Sequence, residues 1–282
     1  MSVVPTAMRR LLVLLVLASC QQSPPAPGRG SAARPPRIVT LSPSATEIVA
    51  ALGATDQLVG VDDYSDYPDA VTRLPKVGSF MTPNLEAIVQ LRPTLVIVDD
   101  IHSQAVGALH DAGIATRDCP MHAVPDIKAC LRSVGGDLGV PFEADVAINA
   151  IDKALDAAAA HRPAHHPKVL LVIDREQGGV NSLVAAGTGT FNDELLAVVG
   201  GDNVLAGASV KYPKIGVEEV LRAQPDIILD LSYAGRDSMK AWDVLDVPAV
   251  KAKRVELLTS SLLSHPTPRI AEALDLMARS IN

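Results

Sequence analysis

Aromatic side chains are scarce in this 282-residue chain: three Phe, four Tyr and one Trp, or 3% of the residues. Their few positions are therefore informative. Three cysteines are too few for a disulfide-dense scaffold or a four-cysteine zinc module. Basic residues are in deficit, 25 Lys+Arg against 32 Asp+Glu for a net charge of −7, which excludes the basic face of a nucleic-acid binder. At 48% apolar and 20% charged residues, the chain can build a large core and is too apolar to remain unfolded. Catalytic signatures are missing as well. There is no G-x-S-x-G, no H-E-x-x-H, no Walker-type phosphate loop and no G-x-G-x-x-G in strand context. Gly187-Thr188-Gly189-Thr190 lacks the Gly-Lys-Ser/Thr ending and reads as a tight strand-to-helix turn. The composition favours a binding protein over an enzyme.

Hydrophobic runs long enough to span a membrane are also lacking. Residues 11–18 are apolar and follow Arg9 and Arg10, but as a helix they cover only ~12 Å of a ~30 Å hydrocarbon core. That pattern is the h-region of an export signal. It ends in Leu17-Ala18-Ser19-Cys20, which resembles the bacterial lipobox. Residues 1–20 are thus expected to be a lipoprotein signal peptide with Cys20 as the lipidated residue. Residues 21–36 are rich in proline and form a tether reaching at most ~55 Å. The expected location is outside the cytoplasm, facing the periplasm or the outer face of the cytoplasmic membrane, with contact to the membrane only through the lipid.

Beyond the tether, β-branched runs at residues 38–41, 95–98, 169–173 and 227–229 alternate with helical patterns. Such alternation predicts α/β units with mainly parallel strands. Two segments echo each other. Residues 47–53 (EIVAALG) match residues 194–200 (ELLAVVG), and Glu86, Pro93 and the strand at 95–97 match Glu218, Pro225 and the strand at 227–229. Between the copies, residues 141–162 are rich in alanine and free of internal Pro and Gly, which predicts one helix about 30 Å long. The expected fold is α/β: two Rossmann-like lobes with mainly parallel sheets, joined by one long rigid helix, with a ligand cleft between them. The expected boundaries are 37–140 for the N-terminal lobe, 141–166 for the linking helix and 167–282 for the C-terminal lobe. Helix starts are expected at Ser44, paired with Glu47 as a capping box, and at Thr82-Pro83.

Tyr64, Tyr67 and Phe80 fall in one loop-rich stretch, and Tyr212 falls in the corresponding loop of the second copy. Flat aromatic faces in loops at a cleft suit a large planar or amphipathic ligand. The seven histidines are His102, His110, His122, His161, His165, His166 and His265. His161, His165 and His166 sit beside prolines and read as a solvated loop. A metal site needs several ligands converging from strand ends; the first strand ends in Ser42-Pro43-Ser44 and supplies none, so no metal is expected. Export permits a disulfide between Cys119 and Cys130. Their separation alone does not establish the geometry, so a disulfide and two buried thiols both stand open.

Residues 37–47 (RIVTLSPSATE), 64–68 (YSDYP), Asn84-Leu85-Glu86 through Pro93, 200–203 (GGDN) and Thr267-Pro268-Arg269-Ile270 together resemble the helical-backbone family of periplasmic substrate-binding proteins. That family takes up cobalamin, haem and ferric siderophores through ABC importers, and the resemblance is to its cobalamin branch. The resemblance implies a receptor with no cofactor of its own, monomeric when free, that hands its cargo to an ABC permease dimer with ATPase subunits. It makes Tyr64, Phe80 and Tyr212 ligand-facing, Phe80 and Tyr212 standing in place of tryptophans, and adds Ser44, Asp99, Arg175 and Ser261 to the candidate ligand set. Glu86 and Glu218 become the two carboxylates that dock on the permease. Departures accompany it: Val199 and Met277 replace a disulfide, Ser261-Leu262 replaces an Asp-Trp pair, and Asp99 replaces a tryptophan. Arg175 is open to two roles, partner of an anionic ligand group or member of a surface salt bridge. The alternative cargo is haem or a ferric siderophore, with Tyr64, Tyr212 or His102 as an axial ligand for haem.

Overall fold

In the computed structural model of the chain, residues 36–282 other than Gln177 and Ala234 are described. The expected signal peptide, Cys20 and the tether up to residue 35 lie outside the described residues. The β-branched runs do become strands. The first half runs β1 (Ile38–Thr40), α1 (Pro43–Ala51), β2 (Leu58–Gly60), α2 (Leu85–Gln90), β3 (Leu95–Val98), α3 (Ser103–Asp111), β4 (Ala115–Asp118) and α4 (Val124–Asp137). The alanine-rich segment is one helix, α5 (Pro141–Ala160), started by a proline at its first position. The second half runs β5 (Lys168–Arg175), β6 (Leu183–Ala185), α6 (Phe191–Val199), β7 (Asp202–Asn203), β8 (Lys214–Ile215), α7 (Val217–Ala223), β9 (Ile227–Asp230), α8 (Pro248–Lys251), β10 (Val255–Leu257), α9 (Ser261–Ser264) and α10 (Ile270–Ile281).

Each half builds its own sheet. The first has the order β2-β1-β3-β4 and every pairing is parallel. The second has the order β10-β9-β5-β6-β8, with β7 also on β5. Its β5, β7, β9 and β10 pair in parallel, whereas β6 is antiparallel to both β5 and β8. The expectation of mainly parallel strands therefore holds for the first sheet, and the second is mixed. The cause is local: β5 turns back through a short glycine-containing turn at residues 178–179 instead of crossing over through a helix.

The echoed segments occupy matching places. Residues 47–53 and 194–200 lie in and just after α1 and α6, and both end at left-handed glycines, Gly53 at φ 71° and Gly200 at φ 92°. A residue with a Cβ would be strained there. Two expected helix starts shift. The N-cap of α1 is Ser42, whose Oγ accepts from the Ala45 amide at 3.2 Å, with Pro43 next. Helix α2 begins at Leu85, capped by the Asn84 side chain at 3.0 Å from the Ala87 amide, so Thr82-Pro83 precedes it.

The two sheets share one apolar core. A single cluster contains Ile38 and Ile48 from the first half, Ala144, Ile148 and Ile151 of α5, and Phe191, Leu195, Leu274 and Met277 from the second. Helix α5 packs against α1 and α4 on one side and α6 and α10 on the other. Burying each large aliphatic side chain of α5 stabilises the joined state by roughly 1.5–3 kcal/mol. Among the described residues, no helix is long and apolar enough to cross a membrane.

Candidate ligand-binding site

Because the first sheet is parallel, the segments after β1, β2, β3 and β4 all leave from one edge. These are residues 41–44, 61–82, 99–102 and 119–123. In the second sheet, Val172 pairs with both Asp230 and Ala185, and Asp230 pairs with Leu257. The Ala185 amide in turn donates to the Pro213 carbonyl at 3.1 Å. Tyr212-Pro213 thus lies at the level where β9 and β10 end, although β8 itself only begins there.

Tyr64 stands on a pinned base. Thr40 Oγ1 of β1 meets Thr46 Oγ1 of α1 at 2.6 Å, and Thr46 Oγ1 meets Ser65 Oγ at 2.7 Å. Ser65 Oγ donates to the buried Asp62 carboxylate, which also accepts the Tyr64 amide at 3.0 Å. Lys76 Nζ closes the loop on the Ser65 and Asp62 carbonyls at 2.7 and 3.1 Å. Burial pushes the Asp62 carboxyl above its ordinary range, against the opposing pull of Ser65, the Tyr64 amide and Lys76. The backbone is tied down by these hydrogen bonds while Tyr64 as a residue is 68% exposed. An exposed ring on an ordered base is an apolar surface whose ordering cost has already been met.

Phe80 is half-buried and packs edge-to-face on His102, ring centroids 5.3 Å apart. His102 is buried with both ring nitrogens engaged. Nδ1 accepts the Asp99 amide at 2.8 Å, so Nε2 carries the proton and donates to the Phe80 carbonyl at 2.7 Å. His102 is therefore a strut between two loops, and the idea of it as an axial haem ligand is corrected. A hollow of about 710 Å³ beside it is lined by Met81, Thr82, Ile101 and His102. Tyr212 is 40% exposed, and burial of part of its ring raises its phenol pKa.

Three other candidates are placed differently from the expectation. Arg175 does not face a ligand: its side chain and that of Asp230 are both 0% exposed. Its Nε donates to Asp230 Oδ2 at 2.6 Å, its other nitrogens to Ser238 Oγ at 2.8 Å and the Gly179 carbonyl at 3.1 Å, and it lies 5.7 Å over the Trp242 ring. Neither of its two expected roles is met: Arg175 forms a salt bridge, but a buried one in the core and not at the surface. Ser44 is buried within the first turn of α1 and offers no exposed hydroxyl. Ser261 Oγ accepts from Arg269 Nη2 at 3.2 Å, which ties it to a contact between the two halves.

That contact centres on Glu47. Its carboxylate, 2% exposed, accepts from Arg269 Nη2 at 2.7 Å and Nε at 2.9 Å, from His265 Nε2 at 3.1 Å and from Thr267 Oγ1. Burial pulls the Glu47 carboxyl up, but His265, Arg269 and Thr267 outweigh it and hold it below the ordinary value. Tyr67 is not a free aromatic either, since its ring stacks under the Arg269 guanidinium at 3.9 Å. The capping-box reading of Glu47 missed this role.

Asp99 directly follows β3 and is 4% exposed. It lies against Asp100, whose carboxylate meets His122 Nε2 at 3.0 Å. Burial, then the adjoining Asp100, pushes the Asp99 carboxyl up to about 7, while hydrogen bonds from Asp99 and His122 lower that of Asp100. The end of the first strand supplies no metal-ligating group, whereas the segments after β3 and β4 bring Asp99, Asp100 and His122 together.

Glu86 and Glu218 are exposed in the first turns of α2 and α7, the equivalent helices of the two halves. Among the described residues neither forms an ion pair. Cys119 and Cys130 are joined in a disulfide, with Cα atoms 5.4 Å apart, well within bonding geometry.

Two α/β lobes on a shared core, with ordered loops and exposed aromatics at their strand ends, have the architecture of a two-lobed binding protein. The sequence matches the family described as periplasmic binding protein over residues 38–262, and the chain belongs to that family. It is 27% identical to the vitamin B12-binding protein of Vibrio cholerae over 243 residues, covering 85% of this chain and 86% of the relative. The crystal structure of the periplasmic vitamin B12 binding protein BtuF of Vibrio cholerae superposes with a TM-score of 0.72 at 26% identity, over 88% of this chain and 97% of that one. The periplasmic heme-binding protein RhuT from Roseiflexus sp. RS-1, in apo form, superposes with a TM-score of 0.76 at 28% identity, over 88% of this chain and all of that one.

Proposed function

We propose that this protein captures cobalamin or a related corrinoid between its lobes and delivers it to an ABC importer. The observation that carries the reading is the pair of exposed tyrosines on ordered loops, Tyr64 in the first lobe and Tyr212 in the second. A corrin ring with its amide side chains is large, flat and amphipathic, and such a ligand is held by aromatic faces and few polar groups. Phe80, half-buried in the same loop-rich stretch as Tyr64, offers a further apolar face, whereas Asp99 is buried and leaves the ligand set. The similarity to vitamin B12-binding proteins over most of both chains supports the same cargo.

Glu86 and Glu218 are the docking pair, one on each lobe, for basic residues of a permease dimer. Cys20 is the lipid attachment point, and the proline-rich tether keeps the body near that importer. The free receptor is a monomer.

Calorimetric titration of the full chain with cyanocobalamin tests the cargo. One-to-one binding below 1 µM, on the order of −8 kcal/mol or tighter, is expected; absence of heat at 100 µM ligand rejects the corrinoid reading.

A second reading, haem as cargo, is favoured by one observation: the Tyr64 hydroxyl is on an exposed ring and free to act as an axial ligand. Titration with hemin, followed by the Soret band, separates the two. A Tyr64-dependent shift at micromolar hemin with no cyanocobalamin binding selects haem.

A further inference from the structure

The ends of two adjacent parallel strands bring Asp99, Asp100 and His122 together. One ligating atom from each, two carboxylate oxygens and an imidazole nitrogen, lie within 4.8 Å of one another. The cluster is not a self-contained surface ion pair. Asp99 is buried, and its Oδ1 has no hydrogen-bond partner. A buried carboxylate oxygen without a donor is costly to leave that way. Among the described residues no Lys or Arg pairs with either carboxylate, and His122 is the one group with a positive form that does, through Asp100. Asp99 and Asp100 share a hydrogen bond, with His122 beside the pair. Asp100 and His122 are both accessible to solvent, so an ion can reach the cluster.

We infer that Asp99, Asp100 and His122 form a binding site for a divalent transition-metal ion at the seam between the lobes. The donor set decides the class of ion. Carboxylate oxygens alone would suit Mg²⁺ or Ca²⁺, whereas an imidazole among them suits Zn²⁺ and its neighbours. In the metal-bound state His122 ligates through Nε2, the nitrogen already aimed at Asp100, and carries its proton on Nδ1. Three protein donors leave at least one tetrahedral position for water or for an oxygen of a molecule held between the lobes. The His122 carbonyl accepts the amide of Phe191, the first residue of α6, at 2.7 Å, so the ion would sit where the first lobe touches the second. This inference concerns the chain's own residues and stands whether the cargo is a corrinoid or haem.

The test uses the full chain, stripped with a chelator and titrated with Zn²⁺ alone, then with Mg²⁺. One Zn²⁺ per chain with micromolar or tighter affinity is expected, with Mg²⁺ at least tenfold weaker. Asp99→Asn with Asp100→Asn, and separately His122→Gln, each weaken Zn²⁺ binding at least tenfold. Replacing His161, His165 and His166 with alanine leaves it unchanged. X-ray absorption at the zinc edge of the wild-type chain does not depend on any variant folding, and one imidazole among oxygen ligands is expected there. No Zn²⁺ binding, binding lost only with His161, His165 and His166, or two or more imidazoles at the metal each overturn the assignment.

Discussion

Glu47 and Arg269 are separated by 222 residues and meet across the two lobes through two hydrogen bonds of 2.7 and 2.9 Å. The carboxylate is buried, and His265 and Thr267 fill its remaining acceptor positions. The clasp joins the first helix of one lobe to the segment just before the last helix of the other. Removing one member strands a buried charge, which typically costs about 3–5 kcal/mol.

The clasp gives the fold an acid sensitivity of known sign. The Glu47 carboxyl is held below its ordinary value of 4.5 in the folded protein, so the unfolded chain takes up that proton first. The stabilisation is complete above about pH 4.5 and is lost as the pH falls further. Thermal melts of the wild type and Glu47→Gln should differ by about 3–5 kcal/mol near neutrality. The gap should narrow below pH 4.5; a gap independent of pH would contradict the ionised clasp.

Replacing both Tyr64 and Tyr212 with alanine removes one aromatic face from each lobe. At about 1.5 kcal/mol per ring, the double variant should bind cyanocobalamin about 100-fold more weakly. The melting temperature should hardly move, because both rings are largely outside the core. Calorimetry with unchanged affinity would remove these residues from the site.

Arg175 should behave as a core residue. Arg175→Ala leaves Asp230 buried with one charged partner fewer, and a loss on the order of 3–5 kcal/mol is expected by denaturant titration. The fraction that remains folded should bind ligand within twofold of wild type. Loss of affinity without loss of stability would restore the ligand-facing role.

Glu86→Lys together with Glu218→Lys should spare ligand binding and abolish uptake by cells. Both carboxylates are exposed, so stability should change by less than about 1 kcal/mol. Uptake at the wild-type rate would sink the docking assignment.

The Cys119–Cys130 bridge closes a loop of separation 11, for which chain entropy gives about 2–3 kcal/mol. Cys119→Ala with Cys130→Ala should lower stability by that amount. Thiol titration of the unfolded, unreduced body should find neither cysteine free.

What was legible in the sequence was what neighbouring residues dictate. The alanine-rich run without internal Pro or Gly is α5, the run 95–98 is β3, and the echoed glutamate, proline and strand offsets fall in equivalent elements. Ser42 followed by Pro43 carried the signal for the start of α1, but Ser44 with Glu47 fitted a capping box equally well by spacing. Contacts over long separations left no local trace. Nothing near Glu47 in sequence indicates Arg269, and nothing near Arg175 indicates Asp230 and Trp242. The Asp99, Asp100 and His122 cluster was accessible only by asking which strand ends become neighbours, since β3 and β4 lie side by side. The single tryptophan proved to be a core residue that donates from Nε1 to Asp230 at 3.1 Å.

Helix α5 sets a constraint on how the importer keeps time. A core that runs through it from one sheet to the other resists any change in the spacing of Glu86 and Glu218 when cargo binds. Docked on the permease through that pair, as proposed above, an empty receptor competes with a loaded one. Under such competition the uptake rate follows the loaded fraction of receptors, and overproducing the receptor beyond the cargo supply slows import.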